Sequence, residues 1–295
     1  MIPQLDLKIQ YDNLKEEIDT KIHEIIASTE FIQGRYVGEF EDQFLNAHGG
    51  KFCIGCANGT AALFLALRVL GIKEDDEVIT TTNSFIATAE AICHLGARPV
   101  FVDIDPDTHN MNLSLIEARI NDKTKAIIPV HIYGNPIDML EVMKIARKHN
   151  LNVVEDCSQA HLASFDNRPV GTFGDIGTFS FYPGKNLGAY GDAGAIITNS
   201  EALNKEFRIL IDHGRKSKYE HEKVGYNLRM DAIQAGVLTV KLKYLRDWTR
   251  MRQNVAKLYS ALLNHTSIHT PKVMSGANHV FHQYVIKTEQ RDLIM

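Results

Sequence analysis

Between about residue 50 and residue 200 the chain alternates short, nearly continuous apolar runs with segments whose apolar positions recur at helical spacing. The runs Phe52-Cys53-Ile54-Gly55-Cys56-Ala57, Glu77-Val78-Ile79-Thr80, Pro99-Val100-Phe101-Val102-Asp103, Ala126-Ile127-Ile128-Pro129-Val130, Leu151-Asn152-Val153-Val154-Glu155, Thr178-Phe179-Ser180-Phe181 and Gly194-Ala195-Ile196-Ile197-Thr198 predict strands. Strands covered on both faces are apolar throughout rather than alternating. A helix is predicted from Thr60, with Leu63, Phe64, Leu67 and Leu70 on one stripe and Gly71 as its stop. Others are predicted from about Ile86 to Leu95, over Ser114 to Ile120, and around the stripe Met139, Val142, Met143 and Ala146. After Leu228 the spacing stays helical for about thirty residues, through Ile233, Val237, Val240, Leu242 and Leu245 to Leu258.

Strand-helix alternation of this kind predicts an α/β fold, a mostly parallel sheet sandwiched by helices. Ligands of such sheets bind at the carboxyl ends of the strands. No internal repeat, low-complexity tract or flexible linker interrupts the pattern. At 295 residues the chain suits one large domain and a smaller one. Its net charge of -4 gives no reason to expect nucleic-acid binding. No stretch approaches the ~18 apolar residues that span a bilayer, and Met1-Ile2-Pro3-Gln4-Leu5-Asp6-Leu7-Lys8 lacks the apolar core of a signal peptide. A cytoplasmic protein without membrane partners is therefore expected. Four cysteines are too few for a disulfide scaffold. Cys53 and Cys56 form a C-x-x-C pair, but no second pair completes a zinc site, and positions three apart on a strand face opposite sides. They are expected to be small buried apolar residues.

Three features carry candidate chemistry. Asp156 follows Val153-Val154 at the carboxyl end of a predicted strand, where a carboxylate points into the expected crevice or caps a helix. Lys185 lies 29 residues later, in the aromatic and Gly-rich run Ser180-Phe181-Tyr182-Pro183-Gly184-Lys185-Asn186-Leu187-Gly188. Asn58-Gly59-Thr60 joins a strand to a helix, which suits a phosphate through free N–H groups and the positive end of the helix dipole, or a plain cap. Together they match one chemistry. A lysine amine condenses with an aldehyde, a carboxylate pairs with a pyridinium nitrogen, and a phosphate is anchored at a helix start, as pyridoxal 5'-phosphate (PLP) requires.

Gly59-Thr60-Ala61-Ala62-Leu63, Glu155-Asp156-Cys157-Ser158-Gln159-Ala160-His161, Ser180-Phe181-Tyr182-Pro183-Gly184-Lys185-Asn186 and Gly225-Tyr226-Asn227-Leu228-Arg229-Met230-Asp231 occur in that order. With these the chain closely resembles the nucleotide-sugar aminotransferases of the DegT/StrS group, fold type I PLP enzymes. The resemblance covers essentially the whole chain. It implies that Lys185 bears the cofactor and then moves the proton, that Asp156 pairs with the ring nitrogen, and that Gln159 bonds the phenolic oxygen. It further implies that Gly59, Thr60 and Ser180 hold the phosphate and that Phe85 stacks on the ring. Asn227 is implied to reach the phosphate in the neighbouring subunit, which makes a homodimer with shared sites the working unit.

The implied reaction moves an amino group from L-glutamate to a nucleotide-linked keto sugar in deoxyamino-sugar and polysaccharide biosynthesis. The residues around Lys185 and the segment His282-Gln283-Tyr284-Val285 look most like members acting at C3 of a thymidine-diphosphate-linked 3-keto-6-deoxyhexose. The alternatives are amination at C4, a PLP-dependent sugar dehydratase, whose lysine position is a histidine in members resembling this family, and a regulatory protein that kept the fold. By this resemblance residues 1–240 form the large PLP-binding domain with an N-terminal arm, and 241–295 the start of a small C-terminal domain. The chain stops at Arg291-Asp292-Leu293-Ile294-Met295, inside the segment where members build that domain, so an incomplete small domain is expected, as a fragment or as a shortened member. His131, His161, His279 and His282 form no recognisable metal-ligand set; His161 and His282 are expected to line the sugar pocket.

Overall fold

The computed structural model describes residues 5–294. Met1 to Gln4, part of the N-terminal leader reading, and the terminal Met295 lie outside the described residues. In chain order the elements are α1 (Leu7–Ser28), α2 (Gly34–His48), β1 (Phe52–Cys56), α3 (Gly59–Val69), β2 (Glu77–Thr81), α4 (Ile86–Cys93), β3 (Arg98–Val102), β4 (Thr124–Ile128), α5 (Met139–His149) and β5 (Asn152–Asp156). There follow the two-residue strands β6 (Ser164–Phe165) and β7 (Arg168–Pro169), then β8 (Ile176–Ser180), β9 (Gly194–Thr198), α6 (Glu201–Leu210), β10 (Arg215–Ser217), β11 (Glu220–His221), α7 (Ala232–Leu242), α8 (Leu245–Leu263) and β12 (Ala277–Asn278).

The central sheet has seven strands in the order β1-β9-β8-β5-β4-β2-β3. Strands β3, β2, β4, β5 and β8 run parallel to one another, while β9 pairs antiparallel with both β8 and β1. The mostly parallel sheet predicted from the apolar runs is therefore present, with an antiparallel edge.

Neighbouring residues of one strand fall on opposite sides, as a period of two requires. Ile54, Val78, Ala126, Val154 and Ile196 pack with Leu63 and Leu67 of α3, Ala91 of α4 and Phe207 of α6. Ile79, Ile127 and Val153 pack with Met139, Val142 and Ile145 of α5. Cys53, Phe179 and Ile197 pack with Phe40 and Phe44 of α2 and Leu238 of α7. The sheet is thus covered on both faces, which explains why its strands read as unbroken apolar runs. Cys53 and Cys56 belong to different faces and are both buried and free, in keeping with their spacing on a strand.

One detail differs from the sequence expectation and two are additions to it. Ser114 to Ile120 is not a helix but two 3-10 turns, Leu113–Leu115 and Glu117–Arg119. Asn112 Oδ1 accepts from both the amide and the hydroxyl of Ser114, a local alternative to helical bonding. The long helical stretch after Leu228 is two helices, α7 and α8. The N-terminal arm, for which no elements were predicted, is two helices, α1 and α2. Their apolar stripes, Leu14, Ile18 and Ile25 in α1 and Val37, Phe40 and Phe44 in α2, have helical spacing and pack against α7 and the sheet. At Gly236 of α7 a Cβ would lie 2.5 Å from Ile25 Cδ1, so α1 and α7 touch at closer range than side chains permit.

Candidate active site

A cleft of about 1500 Å³ opens where the parallel strands end. Asp156 is the last residue of β5 and Ser180 the last of β8. Asp156, Gln159, Ser180, Lys185, Gly59, Thr60 and Phe85 all line this cleft. The arrangement follows from the topology, because β5 and β8 are parallel neighbours and their carboxyl ends lie side by side.

Asp156 is buried, and its carboxylate is held on both oxygens. Oδ1 accepts from the Ser158 amide at 3.1 Å, and Oδ2 accepts from the Thr88 hydroxyl at 2.9 Å. Thr88 Oγ1 lies in turn 2.6 Å from Ser84 Oγ. Lys185 sits in a tight turn. Its amide donates to Tyr182 O at 2.8 Å, and a Cβ on Gly188 would come within 2.3 Å of Pro183 O. The ammonium of Lys241 in α7, fully buried, donates to Gly188 O at 2.7 Å and lies 4.1 Å from the centre of the Tyr190 ring. Burial lowers the Lys185 pKa from its ordinary value, with Asp156 acting in the opposite direction. Among the described residues the Lys185 amine has no hydrogen-bond or ion-pair partner, since Asp156 bonds Thr88 and Ser158 instead. A lysine made easier to deprotonate, in a cleft, has the character of a nucleophile and base.

The other predicted residues have distinct settings. Gln159 Oε1 accepts from the Tyr133 amide at 2.7 Å, which fixes the side-chain amide and leaves its NH₂ as a donor. Asn58 caps α3 by accepting from the Ala61 amide at 2.8 Å, so the amides of Gly59 and Thr60, at the first turn, have no helical acceptor. A Cβ on Gly59 would lie 2.6 Å from Ser180 Cβ, so only glycine lets β8 and the α3 start approach this closely. Phe85 is 69% exposed at the cleft mouth, not a core aromatic. Asn227 is exposed and is not among the residues lining its own chain's cleft.

The histidines divide. His282 lines the cleft, as expected. His161 does not; it is wholly buried against Phe179 and Phe181, and burial holds its pKa well below the usual value. His131 is buried beside Glu155 at 3.3 Å, and these two with Cys157 form a compact group. The polar atoms of His131 and Glu155 are taken up by the protein itself. Glu155 accepts from the amides of Gly171, Phe173 and Gly174, and His131 Nδ1 accepts from the Ile137 amide. Thr88, Ser84, Asn186 and Arg252 are site residues that the sequence reading did not single out. Asn186 stood inside the motif with Lys185, and Thr88 stands one helical turn after Phe85; the position of Arg252 carried no local signal.

Among the described residues no helix is long and apolar enough to cross a membrane. The family model DegT/DnrJ/EryC1/StrS aminotransferase matches residues 12–295. A pleiotropic regulatory protein from Geobacillus stearothermophilus is 46% identical over 99% of this chain and 79% of its own length. A UDP-N-acetyl-3-dehydro-alpha-D-glucosamine 3-aminotransferase from Acidithiobacillus ferrooxidans is 44% identical over 99% of this chain and 79% of its own. The crystal structure of S. venezuelae DesV in complex with a ketimine intermediate superposes with a TM-score of 0.97 at 38% identity, covering 99% of this chain and 79% of that one. On the extent of the family match and these identities, the chain belongs to the DegT/DnrJ/EryC1/StrS aminotransferase family.

Proposed function

We propose that this chain is a PLP-dependent aminotransferase that moves an amino group from L-glutamate to C3 of a nucleotide-linked keto sugar, a thymidine-diphosphate-linked 3-keto-6-deoxyhexose. The observation that carries the reading is the pairing, in one cleft, of a lysine amine with lowered pKa and a fixed, buried carboxylate. The remaining donors fit the same cofactor. The Gly59 and Thr60 amides and the Ser180 hydroxyl make an anion site, and the close approach of Gly59 to Ser180 brings its parts together. The Gln159 NH₂ is free to donate to a phenolic oxygen, and Phe85 is an exposed aromatic on the cleft wall, placed to stack on a ring.

When bound, PLP supplies an aldehyde that condenses with amines and a ring that accepts the electron pair released at the reacting carbon. The chain's own groups do the rest. Asp156 would pair with the ring nitrogen and keep it protonated, and Ser158 and Thr88 hold Asp156 in place for this. With PLP in the cleft, Lys185 would be the group that binds the aldehyde and, as a free amine, the base that takes and returns a proton; its lowered pKa favours the neutral amine needed for this. In this reading Asn227, exposed and outside its own cleft, serves the phosphate of a neighbouring subunit in a cytoplasmic homodimer, and residues 241–295 begin a small domain that follows the large one.

The test is direct. Protein loaded with PLP should lose its visible absorbance on addition of L-glutamate, and the aminated form should then convert a thymidine-diphosphate-linked 3-keto sugar. The new amine, located by NMR, should be at C3. An amine found only at C4 of a 4-keto substrate would overturn the position, turnover only of uridine-diphosphate sugars would overturn the nucleotide, and no glutamate reaction would overturn the donor.

A further inference from the structure

His282 sits on the cleft wall in a hydrogen-bond frame that leaves one arrangement of its protons. Asn186, the residue after Lys185, donates from Nδ2 to Val280 O at 3.2 Å, so its amide cannot be turned round without losing that bond. Its Oδ1 therefore faces His282 Nδ1, 3.2 Å away, and can only accept. The proton of the ring must then be on Nδ1. Burial, with Lys185 and Arg252 adding to it, pulls the His282 pKa down to about 3, so the imidazole is neutral at ordinary pH and Nε2 carries a lone pair. Arg252 fixes the backbone as well, donating from Nη1 to the carbonyls of Phe281 and His282, each at 3.3 Å. The frame ties this acceptor to the segment that carries Lys185, the group that must reach the reacting carbon.

We infer that His282 Nε2 is a fixed hydrogen-bond acceptor for a sugar hydroxyl on a carbon next to the keto carbon. The inference rests on the aminotransferase reading and adds a specificity-determining residue to it. A neutral Nε2 accepts a hydroxyl proton directly, whereas a carboxylate there would first need the buried ring to take up a proton, which burial and the neighbouring Lys185 and Arg252 oppose. His282 is thus suited to the sugar half of the reaction and not to holding glutamate.

The test uses the whole chain, with His282→Leu as the variant. The KM for thymidine-diphosphate-linked 3-keto-6-deoxyglucose should rise roughly tenfold to a hundredfold, the loss from one buried hydrogen bond to a substrate. Affinity of the cofactor-free protein for the same nucleotide sugar, by isothermal titration, should fall by a similar factor. The rate at which L-glutamate consumes protein-bound PLP should stay near that of the wild type. With the 2-deoxy and 4-deoxy counterparts, one sugar should already bind the wild type weakly and lose nothing further on substitution. An unchanged KM, an equal slowing of the glutamate half-reaction, or an undiminished effect with both deoxy sugars overturns the inference alone. A wild-type protein that performs neither half-reaction overturns the aminotransferase reading, and this inference with it.

Discussion

At the scale of single residues, the site lysine and the lysine behind it show how burial sets chemistry. Lys185→Ala removes the amine proposed to bind the cofactor and to move the proton, and steady-state turnover should drop by at least roughly 10²- to 10⁴-fold; full turnover in the variant would remove Lys185 from the mechanism. Lys241 is a different case, because among the described residues it has no ion-pair partner. Its pKa is lowered to about 8 by burial alone, against about 10.4 in an unfolded chain. The sign follows from the folded value lying below the unfolded one. Between these values the unfolded state binds more protons, so the penalty for the buried ammonium is fully present below pH ~8 and relieved as pH rises towards ~10.4. Lys241→Met abolishes that penalty but also loses the bond to Gly188 O, which is worth on the order of 1–3 kcal/mol. The melting temperature of the variant relative to the wild type should therefore become less favourable between pH 8 and pH 10. A difference that is flat across that range, or that moves the other way, would show that Lys241 does not titrate as its burial requires. Lys185 and Asp156 were legible in the sequence because strand ends and a Gly-rich turn framed them. Lys241 was not, since a lysine on a predicted helix reads as surface until the helix is seen to be covered on every side.

At the scale of elements, the strands were the most legible part of the chain and the turns the least. Gly194–Thr198 was predicted with its observed bounds, and β1, β2 and β8 within a residue or two, because both-face burial writes itself as an apolar run. The 3-10 turns near Ser114 were misread because one buried residue, Ile116, supplied a spacing that Asn112 then broke locally. The α1 and α2 stripes were present in the sequence, but nothing local says that a terminal segment folds back on α7. The junction of β1 and α3 is an element-scale device of the site, since α3 starts against the end of β8. Gly59→Ala places a methyl carbon 2.6 Å from Ser180 Cβ, with backbone of the same residue only 3.2 Å away. The two elements must separate, and overpacking of this kind costs typically 1–3 kcal/mol. Titration with PLP, followed by absorbance, should show affinity weakened roughly tenfold to a hundredfold, with the fold retained by circular dichroism. Unchanged affinity would mean that this junction does not hold the phosphate.

At the scale of the whole molecule, one of the residues implied to hold the cofactor, Asn227, does not line the cleft of its own chain. Asn227 is exposed and its backbone is bridged to Asp212, on the chain segment that leads from β11 to α7. Its sequence signal, Gly225-Tyr226-Asn227-Leu228-Arg229, carried a role but no distance, because a sequence does not say whether a motif completes its own site or a second copy's. If Asn227 serves a neighbour, each site needs Lys185 from one chain and Asn227 from the other. A protein carrying Lys185→Ala and a protein carrying Asn227→Ala are then each inactive alone. In a mixed dimer the site that keeps Lys185 receives its intact Asn227 from the partner. Random exchange of equal amounts makes about half the dimers mixed, with one of two sites intact, so activity should recover to about a quarter of that of the wild type. Subunit exchange is checked independently by mass measurement on differently tagged chains. No recovery in a mixture shown to exchange would place Asn227 in service of its own chain, and recovery in a protein shown to be monomeric would remove the shared site altogether.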